Sequence, residues 1–364
     1  MAAGLGTRLL PLTRFMSKPM VPVLDQPLME HLLRLLRGHG FTDLAANLHY
    51  QPFDMPQRFD DGTAAGVSLR YKFELELSGT AGGTGLFRDF LSDGTFLVMS
   101  GDALTDVDLT RLVAHHCASG CIATIAVKSV ADPSRYGVVV TDERDRVTAF
   151  QEKPRPEEAL SNLCSCGIYV FEPRIFDYIP AGAFVDYAVD VFPALLAAGL
   201  PISTWCLDSY WSDVGDLDAY RTANFDALAG RVGVSNGCSL TSPGIWIGKG
   251  ARVASSAVLQ PPLLLGPGCR VESGASVIGP ATLGADCTVG AGATVESSVL
   301  WRRCSIGAGA TVSGAILGRS VMVGEGADVG KGAVIAGGCL ISDGTTIPRD
   351  TLMEPGTIVQ PAKA

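Results

Sequence analysis

Apolar residues in the last third of the chain recur at every sixth position. From Ile247 the register runs through Val253, Leu259, Leu265, Val271, Val277, Leu283, Val289 and Val295. It slips by one to Leu300, Ile306 and Val312, then by one again to Leu317, Val323, Val329, Ile335, Ile341 and Ile347. Glycine often follows the aliphatic, as at Gly248, Gly266 and Gly307, and a small residue sits four places on, as at Ala251, Ala275 and Ala310. Hexapeptide periodicity predicts a parallel β-helix, with one aliphatic per short strand pointing inward and glycines permitting the corners. About six turns of three hexads are expected. Cys238, Cys269, Cys287, Cys304 and Cys339 fall at the small inward position and read as packed thiols, not metal ligands.

Up to Gly233 the chain follows other periods. Residues 27–37 carry apolar side chains at helical spacing, with Gly38 and Gly40 beyond the last turn. Phe96–Met99 is a short buried-strand run ending in Ser100-Gly101-Asp102. Further strands are expected at 121–127, 136–141 and 166–171, and helices at 82–91, 108–118, 187–198 and 216–228. Such alternation predicts an α/β layered fold.

Composition sharpens the division. Of the 26 aromatic residues, 24 lie before residue 234, while the last 131 positions hold 23 of the 43 glycines and no Phe, Tyr or His. Two domains are expected, at 1–228 and 234–350. A net charge of −9 argues against nucleic acid or an anionic membrane as partner. No apolar run approaches the ~20 residues of a membrane helix, and the opening lacks the pattern of a signal peptide, so a cytoplasmic protein is expected. The ten cysteines include no C-x-x-C pair. His115-His116-Cys117 with Cys121 reads as structural.

Several segments could handle phosphate. Gly4-Leu5-Gly6-Thr7-Arg8 is a glycine turn leading into a cation, where backbone N–H groups can approach a polyphosphate, and it reads equally well as a plain turn. Lysine is scarce, with seven against 21 arginines, yet Lys18 and Lys153 both sit in such segments. Asp102 ends an apolar strand, and Asp213 follows the aromatic run Tyr210-Trp211. Two such carboxylates could share one Mg²⁺, and each alone reads as well as a turn or cap residue. Glu152-Lys153 offers an acceptor for sugar hydroxyls beside a donor for a phosphate.

Taken in order, AAGLGTRLLPLT (2–13), KPM (18–20), GTAGG (79–83), GD (101–102), YGVV (136–139), EKP (152–154), GIYVFEP (167–173) and YWSDVG (210–215) resemble the sugar-1-phosphate nucleotidyltransferases. The repeats resemble the left-handed hexapeptide β-helix, and the combination is most like mannose-1-phosphate guanylyltransferases. The resemblance implies a Rossmann-like domain with a mixed, mainly parallel sheet, followed by a left-handed parallel β-helix. It implies that Ala3, Gly4, Gly6, Thr7, Gly79 and Thr80 bind the nucleotide, with Arg8 and Lys18 as catalytic cations. Gly137, Glu152, Lys153, Ser165 and Gly167 would bind the sugar phosphate, and Asp102 and Asp213 would hold Mg²⁺. The implied reaction joins an NTP to a hexose 1-phosphate with release of pyrophosphate, GTP and mannose 1-phosphate being the first expectation. Glucose-1-phosphate thymidylyl, uridylyl or adenylyl transfer and a catalytically silent regulatory homologue are the alternatives. A homo-oligomer through the β-helix is expected.

Three departures stand out. Met1 occupies the last position of the strand that opens the family pattern, so the full sequence is expected to start several residues upstream. Ser165-Cys166-Gly167 stands where the pattern reads Asn-Ala-Gly, and Ser100 where it has Asn before Gly-Asp. Each serine offers one hydroxyl in place of an amide, which bears on sugar identity rather than reaction type. An acyltransferase site in the β-helix is disfavoured, because such sites use a histidine base and the last histidine is His116.

Overall fold

The computed structural model describes residues 1–360 and divides into two compact units. One comprises Met1–Leu5 with Leu32–Asp213, the other Gly6–His31 with Val214 onward.

In the first unit, strand Leu163–Phe171 is the hub of a mixed sheet. It runs antiparallel to Phe96–Met99, Ala123–Ser129 and Gly137–Thr141, and Ile202–Cys206 joins parallel to Ala123–Ser129. A separate parallel pair joins Asp43–Leu48 to Ser68–Phe73. The expectation of a mainly parallel sheet is therefore corrected, since most pairings in this unit are antiparallel. The hub strand follows the antiparallel hairpin of Gly137–Thr141 and Val147–Glu152, a short return that yields reversed neighbours where a helical crossover would yield parallel ones. Val98, Ile125, Val127, Val139 and Phe171 form the core with Tyr187 and Phe192, and the Phe171 and Tyr187 rings stack at 5.0 Å.

The expected helices form with two amendments. The 82–91 run splits into Gly79–Gly85 and Arg88–Leu91, because four glycines hold the helical backbone only weakly. The 187–198 run opens as a π-turn, Tyr187–Val191, before Phe192–Ala197. Pro193 lacks the N–H that a regular turn would use there.

In the second unit, three sheets of eight, seven and six strands form a solenoid, their coil-to-coil pairings parallel and the outermost strand of the largest, Ser239–Ser242, antiparallel to Ile245–Ile247. Every expected inward aliphatic from Leu265 to Ile347 lies in its buried core, joined by Cys269, Cys287, Cys304 and Cys339. Each of these thiols donates to a carbonyl of the following coil at 3.1 Å, to Gly284, Trp301, Gly318 and Glu354 in turn. Cys238 departs from expectation: it precedes the antiparallel strand Ser239–Ser242, outside the coils, and is half-buried. The two phase slips have a plain cause. The full coil is three hexads long, as where Leu263 pairs with Ala281. Leu283 instead pairs with Leu300, and Leu300 with Leu317, so these two coils are each one residue shorter. Glycines after the aliphatics serve close approach: a Cβ on Gly307 would lie 2.6 Å from the Glu325 nitrogen of the next coil.

Candidate active site

In the first unit, the chain leaves strand Phe96–Met99 at Ser100, whose N–H donates to the Gly167 carbonyl at 2.8 Å. Asp102 follows at the carboxyl end of this strand, where α/β sheets present ligands. Its Oδ1 accepts from Ser100 Oγ at 2.6 Å. Leu104–Thr105 then pairs antiparallel with Trp211–Ser212, matching Leu104 to Ser212. Asp102 lies two residues before this pair and Asp213 one after it, so the ribbon delivers both carboxylates to the same end. Hard carboxylate oxygens in this number suit Mg²⁺, which takes one or two carboxylates and completes its shell with water and phosphate oxygens.

Tyr136, which the sequence offered only as the first residue of YGVV and without a role, adjoins Asp213. Its hydroxyl donates to Asp213 Oδ1 at 3.5 Å, and its ring meets Trp211 edge-on at 5.5 Å. Burial, reinforced by the Asp213 charge, pushes this phenol up to about 12, so it stays a donor at neutral pH.

Strand Leu163–Phe171 breaks register between Ser165 and Tyr169. Gly167, at φ 67°, forms the irregularity, and a Cβ there would sit 3.1 Å from Ser100 Cβ. Ser165 Oγ accepts from the Gly167 N–H at 3.3 Å and lies 3.1 Å from the Tyr169 hydroxyl, while Trp211 Nε1 donates to the Cys166 carbonyl at 2.9 Å. Gly137 pairs with Glu152, and a Cβ at Gly137 would lie 2.7 Å from the Phe150 ring. Lys153 Nζ donates to Glu152 Oε1 at 2.5 Å from a backbone at φ 46°, a left-handed conformation unusual for lysine. The structure thus brings Asp102, Asp213, Ser165 and Gly167 around one strand end, and Gly137, Glu152 and Lys153 along one hairpin.

The glycine-rich segment is held by a neighbouring turn. Gly79, at φ 81°, has space for no side chain, since a Cβ would lie 2.3 Å from the Val185 carbonyl oxygen. That oxygen accepts from the Ala81 and Gly82 N–H groups at 3.0 Å each. The Thr80 hydroxyl donates to Asp186 Oδ2 and accepts from the Tyr187 N–H, both at 2.9 Å, which makes it a fastener of the loop. Asp186 was not singled out from sequence.

Neither were Asn47 and Glu74, which tie this loop to the start of the chain. The Ala2 N–H donates to Asn47 Oδ1 at 2.8 Å, and Asn47 Nδ2 donates to Glu74 Oε1 at 2.6 Å. Glu74 Oε2 accepts from the Ser78 N–H and hydroxyl at 2.8 and 2.5 Å. Met1 donates to the Met99 carbonyl and accepts from the Gly101 N–H, both at 2.7 Å, the bonding of a parallel neighbour. Ala3 is buried, and Gly4 is exposed with open space where a Cβ would be.

In the second unit, Gly6 precedes a 3₁₀ turn, Thr7–Leu9, that carries Arg8. The Gly6 carbonyl accepts from Thr13 Oγ1 at 2.8 Å, and a Cβ on Gly6 would lie 3.1 Å from Lys18 Cβ. Lys18 opens a second 3₁₀ turn, Lys18–Met20, and is 7% exposed. The two turns therefore bring Gly6 beside the lysine.

His116 lies against Thr124 and Glu172, His115 against Ser203, and no group of three metal-binding side chains occurs among the described residues.

The family model described as nucleotidyl transferase matches residues 1–230. The chain belongs to the nucleotidyl transferase family. A second model, described as the LbH domain of EIF2B subunit epsilon, matches residues 242–347. A UTP–glucose-1-phosphate uridylyltransferase of Synechocystis is 43% identical over 61% of the chain and 61% of its own length. A mannose-1-phosphate guanylyltransferase of Mycobacterium tuberculosis is 36% identical over 63% of the chain and 64% of its own. The matched part thus spans about three-fifths of the length of these curated relatives. Among solved structures, one from Bacillus anthracis, assigned as a glucose-1-phosphate thymidylyltransferase and bound to sucrose, superposes at a TM-score of 0.58. It is 26% identical and covers 64% of the chain and 95% of its own. No helix among the described residues is long and apolar enough to cross a membrane.

Proposed function

We propose that the protein transfers a nucleotidyl group from an NTP to a hexose 1-phosphate, giving an NDP-sugar and pyrophosphate. The observation that carries this reading is the delivery of Asp102 and Asp213 to one end of a two-stranded ribbon, beside the Ser165–Gly167 irregularity. Mg²⁺ held by these carboxylates would offset negative charge on the nucleotide phosphates. Arg8 and Lys18 neutralise the leaving pyrophosphate and the α-phosphate, while the Gly4–Thr7 backbone lies along the polyphosphate. Gly79 and Thr80 border the base. Glu152 reads sugar hydroxyls, and Lys153 exchanges its Glu152 partner for the sugar phosphate. The attacking phosphate oxygen is already ionised at neutral pH, so no general base is needed and catalysis is positioning plus charge neutralisation.

GTP with mannose 1-phosphate is the first substrate pair, in line with the relative from Mycobacterium tuberculosis. UTP with glucose 1-phosphate is the second, and the 43% identity to the Synechocystis enzyme favours it. A homo-oligomer built through the solenoid and a cytoplasmic setting complete the proposal.

The test is pyrophosphate release with Mg²⁺ across five NTPs and the 1-phosphates of mannose, glucose, galactose and N-acetylglucosamine. One pair is expected to dominate, and Asp102→Asn to lower its rate by about 10²–10³-fold, the usual loss of a charge-stabilising group. A blank grid, or an unchanged rate in the variant, would overturn the assignment.

A further inference from the structure

Residues 6–31 carry the two proposed phosphate-binding cations, and they are fastened to the solenoid at several points. At one end, the exposed Arg14 guanidinium makes a bidentate pair with Glu354 of the last full coil, at 2.9 and 2.6 Å. At the other end lies a hairpin, Pro22–Val23 with Gln26–Pro27, turned by Leu24 at φ 49° and Asp25 at φ 63°. Two consecutive left-handed residues suit Asn-Gly and strain a leucine, so the surroundings must hold this turn. They do so residue by residue. The Leu24 N–H donates to Oδ1 of the buried Asn224 at 3.1 Å. Asp25 Oδ2 accepts from the Ala285 N–H of the solenoid at 3.0 Å, and Arg302 stands 3.5 Å from Oδ1. A side chain on Gly284 would collide with Asp25 Oδ1 at 2.6 Å, so that glycine leaves room for the carboxylate. The Pro22 carbonyl accepts from the Tyr220 hydroxyl at 2.6 Å, which accepts in turn from Trp301 Nε1 of the solenoid at 2.7 Å.

We infer that the solenoid sets the position of the phosphate-binding segment, with Asp25 as the positioning residue that fixes Lys18 through the strained Leu24–Asp25 hairpin. Pro22 stands four residues beyond Lys18, and the Val21 N–H closes the Lys18–Met20 turn onto the Lys18 carbonyl. A hairpin free to relax would release that turn. The Asp25 carboxylate is engaged by Ala285 and Arg302 of the solenoid, so its influence on turnover passes through the hairpin to Lys18. This inference rests on the proposed role of Lys18 for its kinetic arm alone.

The experiment compares the full chain with Asp25→Ala, Asp25→Asn and Trp301→Phe by two independent readouts. The first is amide hydrogen exchange. In Asp25→Ala, exchange at Met20, Val21 and Leu28 is expected to rise at least tenfold, with the coils after residue 305 unchanged. Asp25→Asn is expected to stay within about threefold of wild type, because an asparagine oxygen accepts from Ala285 and asparagine tolerates positive φ. Trp301→Phe should fall between the two. The second readout is pyrophosphate release, where Asp25→Ala should lower kcat about tenfold or more and leave the KM for sugar 1-phosphate within twofold. Unchanged exchange at residues 20–28 in Asp25→Ala would overturn the inference. So would equal damage from Asp25→Ala and Asp25→Asn, or a lowered melting temperature with unchanged kcat. A wild-type protein inactive on every substrate pair would count against the proposed function, while exchange would still decide the role of Asp25.

Discussion

The solenoid and the unit that holds the carboxylates secure their residues by opposite means. In the solenoid, each side chain meets its counterpart one coil further on, and the same contact repeats along the shaft. Around the glycine-rich loop, each tie is used once and spans a different distance: Ala2 to Asn47, Asn47 to Glu74, Thr80 to Asp186. A repeat distributes the consequence of an error over neighbouring coils. A single-use relay concentrates it, because each buried member depends on the next.

That contrast can be broken at its strongest point with Glu74→Ala. The change leaves Asn47 Nδ2 and two Ser78 donors without their acceptor. At about 1–3 kcal/mol per orphaned buried group, a total loss of about 3 kcal/mol is expected in urea unfolding. A loss under about 1 kcal/mol would mean that the relay is ornamental. Gly307→Ala probes the other side. Its new methyl would press on the Glu325 nitrogen, costing about 1–3 kcal/mol, with faster hydrogen exchange confined to adjacent coils. Exchange that quickens along the whole shaft would remove the distinction.

The smallest expected effect concerns alkaline pH. The Tyr136 phenol is held up to about 12, above its ordinary value of 10.0. Folding therefore favours the protonated phenol, and its contribution is complete below pH 10 and lost as pH rises through 12. Tyr136→Phe should flatten the fall in stability across that window. Identical alkaline limbs in the two proteins would show that the phenol lies in ordinary solvent.

The same contrast explains what could be read from the sequence. Inward aliphatics from Leu265 to Ile347 were legible because the period is local and each repeat confirms the last. Asp102, Gly167 and Lys18 were singled out as candidates through short motifs, each a few residues long. Asn47, Glu74 and Asp186 carry no such signal, since each gains its meaning from a partner 27 to 106 residues away. The reversed direction of Leu163–Phe171 was hidden for a related reason. An apolar strand reads alike in either orientation, and only its neighbours decide.

The unequal coils bear on how this solenoid can grow. Insertion of a whole coil of three hexads keeps every inward aliphatic in phase and lengthens the shaft by one strand spacing, about 4.8 Å. Loss of one residue is already absorbed twice, before Leu300 and before Leu317, where the inward aliphatics still pair in register from coil to coil. Deletions at those two places are therefore the permissive ones, and the same deletion inside a short strand would turn its aliphatic outward. Length in this molecule is quantised in coils, with those two places as the joints where a partial unit can be discarded.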